Sequence, residues 1–432
     1  LYNWREDVRP RVIGKFDEKG EWILPSADEL SPAMIARVIA KRIGRFYTSP
    51  RIEERLAFLE AKAREGTAGR AAFKRVPYFC SGCPHNTSTK VPDGSRAMAG
   101  IGCHFMALWM DRSTATFTHM GAEGATWIGQ APFTETSHVF QNLGDGTYFH
   151  SGSLAIRAAV ASGANITYKI LYNDAVAMTG GQPVDGSLSV PQMTRQLANE
   201  GVARIVVVTD EPDKYPADCG FAAGVTVHHR AELARIQREL RDIKGVSALV
   251  YDQTCAAEKR RRRKRGLYPD PPKRVFINEL VCEGCGDCGF KSNCLSVEPV
   301  ETEFGRKRAI DQSSCNKDFS CLDGFCPSFV TVHGGQIKKR RGAEAGSDLF
   351  AGLPAPAVPD VARPHNMLVT GIGGTGVITI GALVGMAAHI EGKGCTVLDM
   401  TGLAQKGGAV LSHIRVAARP EELHAVRIAA GE

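Results

Sequence analysis

The chain has 432 residues, 43% of them hydrophobic and 23% charged, which suffices for roughly two to four globular cores and excludes overall disorder. Its formal charge of +7 has a single source: without the seven bases of KRRRRKR (Lys259 to Arg265), 46 basic residues face 46 acidic ones. Thirteen cysteines, bunched rather than scattered, exclude a secreted disulfide scaffold and indicate metal or cluster ligation in a reducing compartment, so a cytoplasmic protein is expected.

The opening LYNWREDVRPR is charged and lacks the apolar core of a signal peptide. Residues 1–75 contain two helical stretches, SADELSPAMIARVIAKRI with Ser26 or Ser31 as N-cap and RIEERLAFLEAKARE, and read as a connector or the tail of a preceding domain. Over 76–265, apolar runs (NITYKILYN, VARIVVVTD, VSALVYD) alternate with helical patterns (HSGSLAIRAAVASG, RAELARIQRELRDI), the signature of an α/β domain with a parallel sheet. The basic run then reads as a solvated segment between domains, with docking of an acidic protein as the second reading. No aromatic residues interleave it, which argues against nucleic acid. The cysteine-dense region within 266–345 is too loop-rich to be held by burial alone. A Pro/Ala/Gly linker follows, and 346–432 returns to strand, glycine turn and helix. The uncharged run Leu368 to Ile390 has the length of a bilayer span, yet it holds six glycines and GIGGTG, so no membrane span is expected.

The stretch VCEGCGDCGFKSNC spaces Cys282, Cys285, Cys288 and Cys294 as C-x2-C-x2-C-x5-C, close to the bacterial ferredoxin run in which three thiolates wrap one iron–sulfur cube and the fourth reaches the other. The partners lie in SSCNKDFSCLDGFCPSF. There Cys315, Asp318 and Cys321 keep the spacing with aspartate in the middle place, and Cys326 precedes a proline. Pairing by the ferredoxin rule gives one 4Fe-4S site from Cys282, Cys285, Cys288 and Cys326. It gives a second, 4Fe-4S or 3Fe-4S, from Cys294, Cys315 and Cys321 with Asp318 as a fourth ligand. Carboxylate is the harder ligand and should hold iron less firmly. Tetrahedral zinc is the competing reading.

In NLGDGTYFHSG followed by KILYNDAVAMTGGQ, 26 residues separate Gly146 from Asn173, and this resembles the GDG-x26-N motif of thiamine-diphosphate enzymes. Asp145 and Asn173, at the ends of successive parallel strands, would reach one Mg²⁺, a cation that takes hard oxygen ligands. Gly144, Gly146 and Thr147 would let backbone approach the diphosphate, helped by the N-terminus of a helix beginning near His150. Upstream, Cys80 and Cys83 (YFCSGCPHN) and Cys103 (GIGCHF), with the later Cys255, would supply four thiolates, a redox-active CxxC being the alternative for the first two. Cys219 and Cys395 read as buried thiols.

Together CSGCPHN, GIGC, GDGTYFHSG, NDAVAMTGGQP and the ferredoxin segment resemble indolepyruvate ferredoxin oxidoreductase in its long fused bacterial form, within the 2-oxoacid:ferredoxin oxidoreductases. The resemblance covers roughly residues 76–432. It implies an α/β thiamine-diphosphate-binding domain at 76–265, a ferredoxin-like 4Fe-4S domain at 266–345 and the start of an α/β gamma-type domain at 346–432. A proximal 4Fe-4S cluster on Cys80, Cys83, Cys103 and, less firmly, Cys255 is implied as well. GIGGTG with GLAQKGGAVLSHIRV resembles the start of that gamma domain; a dinucleotide site is its competitor, met only loosely by Glu391 or Asp399. The implied reaction is oxidative decarboxylation of a 2-oxoacid, an arylpyruvate first and branched 2-oxoacids or pyruvate next, to acyl-CoA, with coenzyme A as cosubstrate and external ferredoxin as electron acceptor. The expected partners are the remaining domains of the same enzyme, a pyrimidine-binding domain ahead of residue 1 among them, in a homodimer. An electron-transfer module and a nonoxidative thiamine decarboxylase with structural clusters are the other classes.

Overall fold

A computed structural model of the chain describes residues 5–428, apart from 6, 9–11, 28–29, 69–75, 336–351, 359, 403 and 405–407. The expected boundaries at 75/76 and 345/346, and part of GLAQKGG, lie outside the described residues. The helix Pro32–Ile43 starts at Ser31, whose hydroxyl accepts the N–H of Met34, so Ser31 rather than Ser26 is the cap. The second expected helix spans Pro50–Ala68.

Seven strands form one parallel sheet: β1 Ala97–Met98, β2 Thr114–Ala115, β3 Val139–Gly144, β4 Ile166–Tyr172, β5 Arg204–Thr209, β6 Thr226–His229 and β7 Val246–Asp252, in the order β2-β1-β3-β4-β7-β5-β6. The apolar runs are continuous rather than alternating because both faces are covered. Ile170, Val207, Ala248 and Val250 point into one core, shared with Ile156 and Ala159 of the helix Ser153–Ser162 and with Met193 and Leu197 of Val190–Asn199. Their neighbours Leu171, Val206, Val208, Leu249 and Tyr251 point into the other, beneath Leu233, Ile236 and Leu240 of the helix Leu233–Arg241.

Beyond the sheet, β8 Lys273–Ile277 pairs antiparallel with β11 Phe329–His333, and β9 Val297–Thr302 forms a hairpin with β10 Gly305–Ile310. The last region is a three-stranded sheet in which β14 Ala409–Ala417 lies antiparallel between β12 His365–Ile372 and β13 Gly394–Met400, with one helix, Val377–Ile390. The uncharged run Leu368 to Ile390 thus divides into strand, turn and a helix of 14 residues. Among the described residues no helix is long and apolar enough to cross a membrane.

Candidate cofactor and cysteine sites

Strands β3 and β4 lie side by side in register, with Gly144 opposite Leu171. The GDG turn and Asn173 therefore emerge at the same edge of the sheet, where open α/β sheets bind ligands. Asp145 is buried, and its carboxylate accepts three backbone N–H groups, from Gly146 (2.8 Å), Asn173 (2.9 Å) and Asp174 (3.1 Å). Burial pushes its pKa up to about 6 against the pull of those donors. The Oδ1 of Asn173 is buried and has no hydrogen-bond partner. A carboxylate fixed beside an unsatisfied amide oxygen is a hard-oxygen donor set that fits Mg²⁺. Both border a cavity of about 290 Å³ lined by Asp145, Tyr172, Asp174, Gly181, Glu258 and Arg262, or adjoin its lining residues.

Helical backbone begins at Asp145 itself, not near His150. Asp145–Thr147 continues through a π-helical turn, Tyr148–Gly152, into Ser153–Ser162. Such π turns recur at functional sites. Two buried groups that spacing alone did not single out stand at the same edge. His104 lies against the turn, its Cε1 3.1 Å from where a Cβ on Gly144 would sit; its Nε2 has no partner, and burial lowers its pKa to about 4. Asn142, two residues before Gly144, has both amide atoms buried and unpartnered. The GIGC loop can approach so closely because Gly100 has no side chain: a Cβ there would stand 2.2 Å from the Asn142 carbonyl oxygen. His104 was visible in GIGCHF as a neighbour of Cys103; Asn142 carried no signal.

Cys83 and Cys103 gather in one buried cluster with Phe79 and Met106, and the half-buried Cys80 and Met178 pack against it. Cys255 is not a member of it; its N–H donates to the Asn173 carbonyl (3.0 Å), and it stands at the N-cap position of the following helix with no capping bond from its side chain. In the later region Cys282, Cys285 and Cys288 lie near one another, as do Cys294, Cys315 and Cys321. Cys282 and Cys285 lie close enough to Cys288 to help raise its pKa, after burial. Cys294, Cys315 and Cys321 line one small cavity, and burial followed by the other two thiols pushes Cys321 up to about 12. Burial holds the Cys315 thiol, like that of Cys321, above its ordinary pKa, and a cation bound there would stabilise both thiolates. Cys326 lies 3.0 Å from the Ser328 hydroxyl. Among the described residues no group of three or more His, Cys, Asp or Glu is arranged to hold a metal ion. Cys219 and Cys395 are half-buried rather than enclosed.

Two expectations change. Asp318, placed by spacing as a fourth ligand, has its Oδ1 taken by Arg230 (2.5 Å) and Gln253 (2.9 Å), both from the parallel-sheet region. The basic run is not a solvated connector but most of a helix, Ala256–Lys264, whose bases pair within the chain: Lys259 with Asp210 (2.8 Å), Arg262 with Asp174 (2.8 Å) and Glu258 (3.1 Å). Acidic residues distant in sequence supply partners that a charge count cannot reveal.

Three family models match separate stretches: indolepyruvate ferredoxin oxidoreductase middle domain at 1–68, thiamine pyrophosphate enzyme C-terminal TPP binding domain at 100–251, and pyruvate ferredoxin/flavodoxin oxidoreductase at 366–431. Indolepyruvate oxidoreductase subunit IorA of Thermococcus kodakarensis is 24% identical over 65% of this chain and 48% of its own length. The same subunit of Pyrococcus horikoshii is 23% identical over 74% of this chain and 49% of its own. The chain thus spans about half the length of the curated relatives it matches. A solved 2-oxoglutarate:ferredoxin oxidoreductase from Magnetococcus marinus overlays 42% of this chain and 66% of its own at a TM-score of 0.32 and 17% identity.

Proposed function

We propose that this chain, an indolepyruvate ferredoxin oxidoreductase-like protein, is the diphosphate-binding and electron-handling portion of an enzyme that converts an arylpyruvate and coenzyme A to acyl-CoA and carbon dioxide, passing two electrons to ferredoxin. The observation that carries the reading is that the Asp145 carboxylate accepts the Asn173 backbone N–H while the Asn173 Oδ1 stays buried and unsatisfied, at adjacent parallel strand ends inside the segment matched as a TPP binding domain.

Thiamine diphosphate, when bound, supplies the electron sink that carbon–carbon cleavage next to a carbonyl requires. Asp145 and Asn173 would hold its Mg²⁺, and Gly144, Gly146 and Thr147 would bring backbone close to the diphosphate. Cys80, Cys83 and Cys103, with Cys255 as a fourth candidate, would ligate the iron–sulfur centre nearest the cofactor. Cys282, Cys285, Cys288 and Cys326 would ligate another, and Cys294, Cys315 and Cys321 a third. The division into a thiamine domain at 76–265, a ferredoxin-like domain at 266–345 and a gamma-type domain from 346 belongs to the same reading, as does a homodimer.

The test is anaerobic mixing of the full-length enzyme, iron loaded, with indolepyruvate and coenzyme A. Bleaching of the iron–sulfur absorbance that needs both substrates is expected, with loss of thiamine diphosphate retention in Asp145→Ala. Carbon dioxide release without reduction of the iron–sulfur centres would identify a nonoxidative decarboxylase instead, and faster bleaching with pyruvate would move the substrate class.

A further inference from the structure

The helix Ala256–Lys264 faces two sites at once. On one side Glu258 and Arg262, four residues apart and so on one face, line the cavity beside Asp145. On another, Arg260 donates to the carbonyls of Ser313 (2.6 Å) and Ser314 (3.4 Å), and Arg263 donates to that of Asn316 (2.7 Å). Those carbonyls flank Cys315. The same loop reaches the thiamine-domain cysteines, because the Asn316 amide donates to the carbonyl of Ser81, between Cys80 and Cys83 (2.8 Å).

Charge is concentrated around this loop. A cavity of about 230 Å³ over Cys315 is lined by Arg260, Arg263, Lys264, Arg274 and Lys317, with Asp270 as the one acid among its lining residues. Lys317 takes Asp270 (2.6 Å), and the buried Nε of Arg274 has no hydrogen-bond partner. Five bases against one acid repel one another in a partly dry setting. An iron–sulfur centre held by thiolates is an anion, and it gains charge on reduction.

We propose that Arg260 and Arg263 are positioning residues for the centre held by Cys294, Cys315 and Cys321: they clamp its loop, and with the neighbouring bases they raise its reduction potential. The inference rests on the iron–sulfur reading above. Positive charge close to a redox centre in low dielectric stabilises the reduced, more negative form. Three bases of the 259–265 run, Arg260, Arg263 and Lys264, would then serve one centre inside the molecule rather than an external acidic partner.

The experiment is potentiometric EPR at low temperature on the full-length iron-loaded enzyme, with iron and sulfide counted in each sample. Arg260→Gln and Arg263→Gln are expected to shift one centre to a more negative potential, the double variant further, with the other centres unmoved. Lys264→Gln removes a charge at an exposed position where the fold is not at stake, and should shift the same centre in the same direction. Arg263→Lys should restore most of the potential. Unchanged potentials at full iron content would overturn the inference alone. So would a raised KM for ferredoxin at unchanged potential, which would make the cavity a docking site. Absence of iron from the wild-type Cys294, Cys315 and Cys321 set would overturn both this inference and the functional reading beneath it.

Discussion

Arg230 and Asp318, 88 residues apart, form a mostly buried ion pair at 2.5 Å, and a second guanidinium nitrogen of Arg230 donates to the Asp318 carbonyl oxygen at 2.9 Å. The pair ties the end of β6 to the loop between Cys315 and Cys321. Removing one partner strands the other charge, a loss of about 3–5 kcal/mol for buried pairs, whereas replacing both by apolar side chains is often neutral. Asp318→Ala should therefore increase hydrogen exchange across 312–321 by two orders of magnitude or more, and Arg230→Met with Asp318→Leu should recover most of the protection.

Gly82 sits in the CSGC loop with φ +65°, and a Cβ there would stand 2.8 Å from the Cβ of Asp318. Left-handed backbone and this contact both oppose a side chain. Gly82→Ala should cost about 1–3 kcal/mol, read as a lowered thermal midpoint, and should loosen the same 312–321 segment in exchange. A stability loss with no change in that segment would mean that the backbone conformation alone is responsible.

Binding of Mg²⁺ should depend on pH through Asp145, whose pKa is raised by burial to about 6. Below that value the cation must displace a proton, so affinity should rise about tenfold per pH unit up to pH 6 and level off above it. In the metal-free protein the sign is opposite. The folded state holds the proton more tightly than the unfolded one between about pH 4 and 6, so this group's contribution to stability falls as pH rises through that window. Calorimetric titration of wild type and Asp145→Asn with Mg²⁺ and thiamine diphosphate checks the first statement, and urea denaturation at several pH values checks the second.

Lys169, in the middle of β4, is fully buried; its ammonium donates to the Lys90 carbonyl (2.8 Å) and lies over the Phe140 ring. Burial lowers its pKa to about 7. Unfolded chain keeps the proton up to about pH 10 and the folded chain does not, so stability should rise as pH increases between about 7 and 10. Lys169→Met should flatten that rise, measured as the difference in urea midpoints between the two proteins across the window.

The site was legible where chemistry and chain geometry set the spacing. The resemblance to GDG-x26-N put Asp145 and Asn173 at neighbouring strand ends, and a single strand–helix–strand crossover accounts for that separation. Strands β4, β5 and β7 were visible as apolar runs because burial on both faces leaves no polar alternation. Two-residue strands such as β1 carry no such pattern, and the insertion of β7 between β4 and β5 depends on packing of whole helices. Nothing near Asp318 marks Arg230 as its partner. The basic run looked unpartnered because Asp174, Asp210 and the carbonyls around Cys315 reach it only through the tertiary fold.

The antiparallel pairing of β8 with β11 runs from Lys273 opposite His333 to Ile277 opposite Phe329, and beyond it the Gly334 N–H donates to the Pro272 carbonyl at 2.7 Å. The cysteine-rich segment therefore departs from and returns to the chain at one place, as an insert whose two ends adjoin. In terms of descent, such a cassette can be gained, lost or exchanged by a gene that need only reseal a gap of about 5 Å, the spacing of neighbouring strands. The bases at 260 and 263 are encoded outside the insert, yet their acceptors lie within it. A transplanted cassette would leave them facing the wrong carbonyls, so helix and insert should be inherited as a pair.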